Sequence, residues 1–407
     1  MLVVQTTRSL LHCSPSRLLT INRTMSTILP SIPIYETAAA FRQWREKALL
    51  EKKSVGFVPT MGALHEGHLS LGVSRRHLHQ NRSLTHFIVR KSLAENDLTV
   101  LSIFVNPAQF APHEDLAMYP RTLEQDIAAL ARVSFTDPSL PHTDDLSSEH
   151  ANVRQPSAIF LPRVKEMYPT GITQDVSTQK GTFVEVQGYS HQMEGKSRPT
   201  FFRGVATVVT KLLNVVQVCT FSSLSTGQRH MINYHFWSLL QPTRAYFGQK
   251  DIQQALLLKR LTSDLLMSYP LSQNIRIVPT ARDHTDGLAL SSRNAYLSRD
   301  ERKMAPTLYH ALVAAKTAWE AGSSKAECLL KAQEVITARE RQASNNGLDV
   351  EMRLDFIEFN DADTFDIVDG KVTRKDFDVI LLSGALYVGK TRLIDNLVLG
   401  DASKIML

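Results

Sequence analysis

The stretch Val55-Gly-Phe-Val-Pro-Thr-Met-Gly-Ala-Leu-His-Glu-Gly-His68 decides the fold of this 407-residue chain. It starts as an apolar run typical of a buried strand, passes a glycine turn, and ends in two histidines whose spacing places them on one face of a helix's first turn. Free N–H groups and the helix dipole make this position an anion site, so His65 and His68 are candidate phosphate ligands. Two histidines that only cap a helix are the alternative.

Strand-like runs and helical stretches alternate through the first three-quarters of the chain, a pattern typical of a parallel sheet covered by helices. Residues 202–216 carry apolar side chains at helical spacing and are predicted to be a core helix, and another helix begins near Asp251. The predicted strands are residues 55–58, 100–105, 158–161, 244–247 and 275–278.

The pattern changes after Asn294. A long polar-faced helix is predicted at about residues 299–321 and a second at 326–339, followed by strands near 355–359 and 379–382. We expect these elements to form a smaller α+β domain. The predicted organisation is a leader of residues 1–30, a first domain of residues 31–290 and a C-terminal domain of residues 291–407.

The net charge of +6 suggests a nucleic-acid partner, but the position of the charge argues against one. Residues 1–35 carry +3 and residues 73–94 carry +5, so the rest of the chain has −2 and lacks the basic excess of a phosphate-backbone footprint. No apolar run approaches the roughly 18 residues that a membrane-spanning helix needs. We therefore expect small-molecule partners, with no nucleic acid and no membrane.

The cysteines Cys13, Cys219 and Cys328 are odd in number and far apart, which predicts an intracellular protein without a disulfide framework. The first 24 residues contain Arg, Ser and Thr but no acid, which fits a weak mitochondrial presequence. Met25 is an equally good start, and a disordered leader has the same composition. We expect a cytoplasmic protein, with mitochondrial targeting by residues 1–24 as the alternative.

The segment Ser102-Ile-Phe-Val-Asn-Pro-Ala-Gln-Phe110 is an apolar strand that stops at Asn-Pro. Asn106 and Gln109 follow the strand end, where ligands bind in open α/β sheets. Neutral amides suit the hydroxyl and carboxylate groups of a small substrate. An ordinary Asn-Pro turn is the alternative.

The segment Ala245-Tyr-Phe-Gly-Gln-Lys-Asp-Ile-Gln-Gln254 repeats the layout of strand, glycine turn and helix. Lys250 would lie at the strand's carboxyl end as a point charge for phosphate. Asp251 would cap the helix, and Gln254 would follow one turn later on the same face. An ordinary capped helix with a solvated lysine is the alternative.

The loop Asp286-Gly-Leu-Ala-Leu-Ser-Ser-Arg-Asn294 places two hydroxyls and a guanidinium in succession. Because both kinds of group bind phosphate oxygens, such a loop can fold over a triphosphate. A polar linker between two domains has the same composition.

Two formal motif matches do not hold. The zinc-protease pattern H-E-x-x-H needs a histidine where Leu69 stands. Gly384-Ala-Leu-Tyr-Val-Gly-Lys-Thr391 fits the P-loop expression, but its interior is bulky and about sixteen residues remain for the helix that must follow. We predict that this segment is the last strand and turn of the C-terminal domain.

Six segments, in chain order, resemble sequence blocks of the pantoate–β-alanine ligase family: PTMGALHEGH, SIFVNPAQF, YPRTLEQD, EGKSRPTFFRGV, FGQKDIQQ and DGLALSSRN. The resemblance extends from about residue 36 to the C-terminus. It implies an α/β fold with a Rossmann-like parallel sheet and a HIGH-type nucleotide site, as in the superfamily that includes class I aminoacyl-tRNA synthetases. It also implies a smaller C-terminal α+β domain that closes over the site.

The resemblance implies a ligase reaction in two steps. ATP and pantoate give an enzyme-bound pantoyl-adenylate and pyrophosphate, and the amine of β-alanine then displaces AMP to form pantothenate. Catalysis would rest on positioning and on neutralising phosphate charge. ATP as co-substrate, Mg²⁺ and a homodimeric assembly are implied in the same way.

Carried over position by position, the resemblance assigns roles to individual residues. The catalytic residues would be His68, His65 and Lys250. ATP would be bound by Met61, Gly62, Ala63, Leu64, His65, Glu66, Gly67, His68, Gly248, Gln249, Lys250, Asp251, Ala281, Leu290, Ser291, Ser292 and Arg293. Pantoate would be bound by Gln109 and Gln254, and β-alanine by Gln109, Asn106 and Arg198. Asp126 would bind Mg²⁺ directly or through water.

The chain departs from the family pattern in several places. Bacterial members usually have Glu where Gln249 stands and His where Phe201 stands, so contacts through these two side chains are not carried over. Residues near 73–92 and 218–240 have no family counterpart and look like unusual insertions. If both are real, the first extends the helix that carries His68, and the second delays the strand that leads to Lys250.

We hypothesise that one or both insertions are retained introns. Each begins with Val after a family-like residue, and Val codons start with GT. Sequencing the mature transcript tests this hypothesis, and both segments in the spliced message would contradict it.

Two other functions fit the same motifs. A nucleotidylyltransferase of the same superfamily would stop after forming a nucleotide product and would need no acceptor amine. A relative inactivated by its insertions would bind ATP without catalysis, as a nucleotide sensor.

Overall fold

The computed structural model describes residues 32–64, 84–111, 116–136, 153–216 and 242–406. Within these ranges, strands form a six-stranded sheet, a three-stranded sheet and a two-stranded ribbon. The strands are β1 (Ile34–Tyr35), β2 (Val55–Thr60), β3 (Leu98–Ile103), β4 (Phe135–Thr136), β5 (Val153–Arg154), β6 (Ala158–Phe160), β7 (Pro242–Gly248), β8 (Ile275–Val278), β9 (Met352–Asp361), β10 (Val379–Val388) and β11 (Thr391–Gly400).

Helices pack against both larger sheets. They are α1 (Ala38–Leu50), α2 (Leu84–Glu95), α3 (Leu123–Leu130), α4 (Val164–Met167), α5 (Glu194–Ser197), α6 (Phe201–Val216), α7 (Ile252–Asp264), α8 (Arg299–Met304), α9 (Thr307–Glu320), α10 (Lys325–Asn345) and α11 (Ser403–Met406). None of the helices in the described ranges is long and apolar enough to cross a membrane.

The central sheet has the strand order β1-β6-β3-β2-β7-β8, and all its neighbouring strands are parallel. The chain adds β3 and β6 on one side of β2, then returns to add β7 and β8 on the other. This reversal creates a crevice at the carboxyl ends of β2 and β7, where open α/β sheets bind ligands. The predicted α/β class is confirmed, and the five predicted strands are present with ends within two residues of those expected.

Successive side chains of a strand point to opposite faces of the sheet. Both faces of the central sheet are buried because helices cover each of them. Phe57 and Phe247 pack with α1, α6 and α7 in one core. Val58 and Tyr246 pack with α2 and α3 in the other. Removal of this apolar surface from water is the main source of stability, at about 25 cal/mol per Å².

Helix α2 begins inside the first predicted insertion, yet it is part of the folded layer. Ile88 is 7% exposed. A Cβ at Gly56 of β2 would lie 2.1 Å from Ser92 Oγ, so the helix docks directly on the strand. The preceding residues 65–83 and the whole second insertion, residues 218–240, lie within the ranges that are not described, as does the leader.

The backbone of helix α6 packs directly against the backbone of the short turn that follows β3. A Cβ at Gly204 would lie 2.3 Å from the carbonyl oxygen of Ala108 and 2.7 Å from Gln109 Cα. Asn106 Nδ2 donates to the Gly204 carbonyl oxygen at 3.1 Å. The position of Gln109 therefore depends on the absence of a side chain at residue 204.

The small domain consists of the antiparallel sheet β11-β10-β9 with α9 and α10 packed against it. The prediction of one helix at residues 299–321 was wrong, since the chain forms α8 and α9 with a break at Pro306. Proline lacks an N–H donor, and its ring clashes with the preceding turn.

The segment Gly384–Thr391 is not a P-loop, because strand β11 follows it instead of a helix. It runs from β10 through a turn at Gly389, whose φ is 56°. The expectation that this was the last strand was wrong, as β11 extends the sheet by one more.

The small domain is fastened to the central sheet by an ion pair and an aromatic contact. Arg392 of β11 donates to Glu194 Oε2 (2.8 Å) and Oε1 (2.9 Å), and to Asp355 Oδ2 (2.9 Å). Burial lowers the pKa of Arg392, but the two carboxylates outweigh it and raise the pKa above its ordinary value. Phe365 is fully buried and meets the Tyr189 ring edge-on at 6.0 Å.

We expect Gly204→Ala to destabilise the protein by about 1–3 kcal/mol, because the added Cβ overlaps backbone atoms. In an ordinary helix the same change stabilises by about 1 kcal/mol. Chemical denaturation measures the free energy of unfolding. Gly370→Ala is the matched control, since its Cβ would meet only Ala326 Cβ, at 4.0 Å. Equal effects of the two substitutions would contradict the packing argument.

Candidate active site

One buried carboxylate holds the turn after β2. Asp126 of α3 is 1% exposed and accepts N–H bonds from Ala63 (Oδ2, 3.1 Å) and Leu64 (Oδ1, 2.8 Å). Gly62 and Ala63 have φ values of 86° and 55°, in the left-handed region that is unfavourable for alanine. The two charge-assisted hydrogen bonds offset this strain and set the direction in which the chain leaves β2.

The two histidines of the same motif lie outside the described residues. So do Glu66 and Gly67, and the described part of the motif ends at Leu64, which is buried. The roles of His65 and His68 therefore stay predictions.

Asn106 is buried and contacts the side chain of Gln109. Its Nδ2 donates to Gln109 Oε1 (3.0 Å) as well as to Gly204, and its Oδ1 accepts from the hydroxyl of Tyr168 at 2.6 Å. With its oxygen engaged, Gln109 uses Nε2 as a donor, 3.2 Å from Met61 Sδ. A thioether is a weak acceptor, so a ligand oxygen could replace it.

Arg198 links the Gln109 turn to a neighbouring cleft. Its Nη2 donates to the Gln109 carbonyl oxygen at 3.1 Å, and its Cζ lies 4.0 Å from the centroid of the Phe201 ring. Such a cation–π contact fixes the guanidinium plane. Both residues line the cleft together with Gln254.

Strand β7 ends at Gly248 and leads through a short 3-10 turn into α7. Lys250 is 9% exposed, with Nζ 3.8 Å from Asp251 Oδ1. Asn396 of β11 binds the turn from the small domain, donating from Nδ2 to the carbonyl oxygens of Gln249 and Lys250, both at 2.9 Å. The lysine is thus positioned by both domains.

The segment from Ala281 to Arg293 folds back on itself. The Leu290 N–H donates to the Ala281 carbonyl oxygen at 2.9 Å, so these two residues are neighbours. Ser291 Oγ accepts from the Arg293 N–H at 3.3 Å and starts a 3-10 turn. The predicted phosphate loop is therefore an ordered turn rather than an open linker.

Tyr119, of the YPRTLEQD segment, lies close enough to the same loop for Ser292 and Arg293 to influence its pKa. Burial raises the pKa of Tyr119 to about 12, and the Ser292 side chain and the charge of Arg293 offset this only in part. The phenol is therefore neutral near pH 7, and it places the segment that carries Asp126 beside the loop.

Two arginines fasten the base of the loop. Arg282 donates to Asp395 Oδ2 (2.5 Å) and Oδ1 (2.8 Å) in a bidentate pair. Arg302 donates to Asp283 Oδ2 (2.8 Å) and Asp286 Oδ2 (2.5 Å). Planar guanidinium groups suit such paired contacts, which fix the geometry of both partners.

Several of the predicted site residues converge on a cleft between the central sheet and the small domain, whereas Met61 and Gln109 are not in the wall of either of its two cavities. One cavity of about 500 Å³, a volume that includes open solvent, contains Arg198, Lys250, Asp251, Gln254 and Arg293 in its wall. A second cavity, of about 350 Å³, shares Lys250 and Arg293 with the first and adds Ser291.

The cleft has an excess of positive charge. Two of the carboxylates in its wall are already paired, Glu194 with Arg392 at 2.8 Å and Asp395 with Arg282 at 2.5 Å. The other charged side chains in the wall of the larger cavity are Arg198, Lys250, Arg293 and Asp251. A concave surface of this sign attracts anions such as a phosphate chain.

Asp126 does not fit the role of a direct Mg²⁺ ligand. Both of its oxygens accept N–H bonds, and its side chain is buried. Within the described ranges, no group of three or more His, Cys, Asp and Glu residues could hold a metal ion. Mg²⁺ is commonly held by one or two carboxylates and the substrate's phosphates, so no protein-built cage is needed.

Several residues around the site were missed by the sequence analysis. Asp395, Asn396 and Arg282 have long-range partners, and nothing in their local sequence indicates them. Gln253 was missed too, and it donates to the carbonyl oxygens of Tyr189 (3.1 Å) and Gln192 (3.0 Å).

The fold and the site define an α/β protein with a positively charged cleft at the switch point of a parallel sheet. The family described as Pantoate-beta-alanine ligase matches residues 33–229 and 230–398. The chain belongs to this family, and the resemblance of the six segments is confirmed.

Individual relatives agree with this membership. Pantothenate synthetase of Herpetosiphon aurantiacus is 38% identical over 366 residues, covering 90% of this chain and 98% of that protein. Pantothenate synthetase of Caldicellulosiruptor saccharolyticus is 40% identical over 353 residues, covering 87% and 94%.

Solved structures show the same fold. Pantothenate synthetase from Thermus thermophilus is similar with a TM-score of 0.61 and 34% identity, over 90% of this chain and 99% of that one. Pantoate-beta-alanine ligase from Francisella tularensis, complexed with beta-gamma ATP and beta-alanine, is similar with a TM-score of 0.55 and 27% identity, over 90% and 97%.

We expect Asp126→Asn to lower kcat/KM for ATP about tenfold to a hundredfold, because one oxygen that accepts an N–H becomes a donor facing it. The loss should be the same at low and saturating Mg²⁺ in a steady-state assay. Glu124→Gln makes the same chemical change at an exposed site on the same helix and should leave activity unchanged. Rescue of Asp126→Asn by high Mg²⁺ would instead indicate a metal ligand.

Proposed function

We propose that this chain is the ATP-dependent ligase that condenses pantoate with β-alanine to pantothenate, releasing AMP and pyrophosphate through a pantoyl-adenylate. The observation that carries the proposal is the convergence of Lys250, Arg198, Gln254 and Arg293 on one cleft at the sheet's switch point, in a member of this family. Pantoate and ATP are both anions, which suits the charge of the cleft.

Pantoate binds to the two glutamines. Gln109 offers Nε2 to a pantoate oxygen, which displaces the weak acceptor Met61 Sδ. Gln254 lies in the first turn of α7 and is in the wall of the cleft. Asn106 holds Gln109 in its donor orientation and, being 1% exposed, does not itself contact substrate.

The first step joins pantoate to AMP. A carboxylate oxygen of pantoate attacks the α-phosphorus of ATP, and the bond to the bridging oxygen breaks to release pyrophosphate. Lys250 stabilises the charge that grows on the transferring group, and Ser291, Ser292 and Arg293 bind the phosphates that leave. His65 and His68, which follow Leu64 in the chain, contact the same phosphates.

The second step forms the amide. The amine nitrogen of β-alanine attacks the acyl carbon of the adenylate, the bond from carbon to the phosphate oxygen breaks, and AMP leaves while the amine loses a proton. Arg198 lies beside Gln109 and binds the carboxylate of β-alanine. This places the amine near the acyl group, so that proximity does most of the work.

We further propose that Mg²⁺ accompanies ATP as the counter-ion of its phosphates, held by the nucleotide instead of by Asp126. The resemblance to the family also supports a homodimer and a cytoplasmic location as proposals. Light scattering tests the first, and localisation of a tagged full-length chain tests the second.

We expect the wild-type chain to exchange pyrophosphate into ATP only with pantoate present, and to release AMP continuously only when β-alanine is added. Lys250→Ala should lower the exchange rate about 100-fold, because one phosphate-stabilising charge is lost. Lys316→Ala, at a half-buried position of α9 where the lysine pairs with Glu320, is the control that should change nothing.

The same assay separates the other candidate functions. AMP release indifferent to β-alanine would indicate a nucleotidylyltransferase. His68→Ala should abolish exchange while retaining ATP binding in calorimetry. A wild-type chain that binds ATP without any exchange would indicate a nucleotide-binding relative inactivated by its insertions.

A further inference from the structure

The side-chain amide of Asn396 makes its hydrogen bonds with the turn that carries Lys250. Besides the two bonds from Nδ2 to the carbonyl oxygens of Gln249 and Lys250, its Oδ1 accepts from Gln249 Nε2 at 3.2 Å. The residue is 3% exposed and belongs to β11, in the small domain. Because its amide makes all three of these hydrogen bonds across the boundary between the domains, this side chain fixes the conformation of the turn.

These bonds bear on phosphate binding. Carbonyl oxygens carry partial negative charge, so a turn that binds phosphate works better when its carbonyls are engaged elsewhere. Asn396 engages two successive carbonyls, which restricts the orientation of the peptide groups on both sides of Lys250. The lysine's Cα and side chain are positioned by the same bonds.

The preceding residue, Asp395, holds the other phosphate-binding segment. Its bidentate partner Arg282 is bridged to Ala289, next to the Ser291–Arg293 loop. The backbone N–H of Asn396 donates to Asp395 Oδ1 at 2.8 Å, so the Asp395 carboxylate is held against the backbone of Asn396. Two consecutive residues of one strand thus contact both segments.

We infer that Asn396 is a positioning residue for the adenylation step and that, with Asp395, it makes β11 the element that sets the distance between Lys250 and the Ser291–Arg293 loop. The inference rests on the proposed function, since it assumes that both segments bind the phosphates of ATP. It assigns no contact between Asn396 and substrate.

The test uses the full chain with Asn396→Asp, which keeps the shape but removes the donor, and Asn396→Ala. We expect kcat/KM for ATP in pantoate-dependent pyrophosphate exchange to fall about tenfold to a hundredfold, because small misplacements of a phosphate ligand are costly. The KM for pantoate should stay within about twofold, since Gln109 is held by Asn106, and the helix that carries Gln254 is anchored through the bonds of Gln253 to Tyr189 and Gln192. If Asn396→Asp and Asn396→Ala fail to fold, Asn396→Ser takes their place. It retains one donor and should give a smaller loss of kcat/KM for ATP.

Asn360→Ala is the matched control. Asn360 is a fully buried asparagine of β9 whose Nδ2 donates to the Phe365 carbonyl oxygen at 2.9 Å, in the same small sheet. It should lower the melting temperature as Asn396→Ala does, without changing kcat/KM for ATP. Equal kinetic effects of the two, or unchanged ATP kinetics in the Asn396 variants, would overturn the inference.

Binding of a non-hydrolysable ATP analogue separates this inference from the proposed function. If the wild type binds the analogue but shows no pantoate-dependent exchange, the proposed function fails. Weaker binding to Asn396→Ala than to the wild type would then still support the positioning role, and equal binding would overturn it. A wild type that binds no analogue overturns both.

Discussion

The structure depends on the parallel pairing of β2 with β3 on one side and with β7 on the other. This pairing brings the carboxyl ends of three strands, distant in sequence, to one edge of a sheet. The residues that follow each strand then have to emerge side by side, and Met61 already contacts Gln109 there. Helices on both faces stabilise the sheet but leave that edge open, so it is the place where polar side chains can meet a ligand.

The small domain completes this edge through polar contacts as well as through apolar residues such as Phe365 and Leu381, which belong to the core of the central sheet. Glu194 with Arg392 and Asp395 with Arg282 are largely buried ion pairs, and removing such charges from water costs nearly as much as their attraction returns. Their contribution is therefore geometric, since each pair is satisfied in only one arrangement of the domains. The same contacts neutralise two carboxylates in the cleft and leave its wall positive.

Buried parallel strands were predictable because they read as continuous apolar runs, and five of the six strands of the central sheet were identified, all but the two-residue β1. Strand β11 was not identified, because it contains Arg392, Asp395 and Asn396. These polar residue types are typical of a loop until their partners are known. The break at Pro306 was missed although a proline inside a helical pattern signals one. The P-loop match was correctly rejected on the bulk of its interior, but the strand that follows had no clear signal.

By itself, the sequence determined the α/β class and the family and gave candidate ligand-binding residues, because strand periodicity, glycine turns and ordered motifs are local properties of the chain. Only the tertiary structure decided what each polar side chain touches. Asp126 caps the turn after β2, Asn106 binds the backbone of Gly204, and Asn396 reaches across from the other domain. Hydrogen bonds and charge pairs act over a few ångströms, and these three join residues 62, 98 and 147 positions apart, so such proximity exists only after the chain has folded.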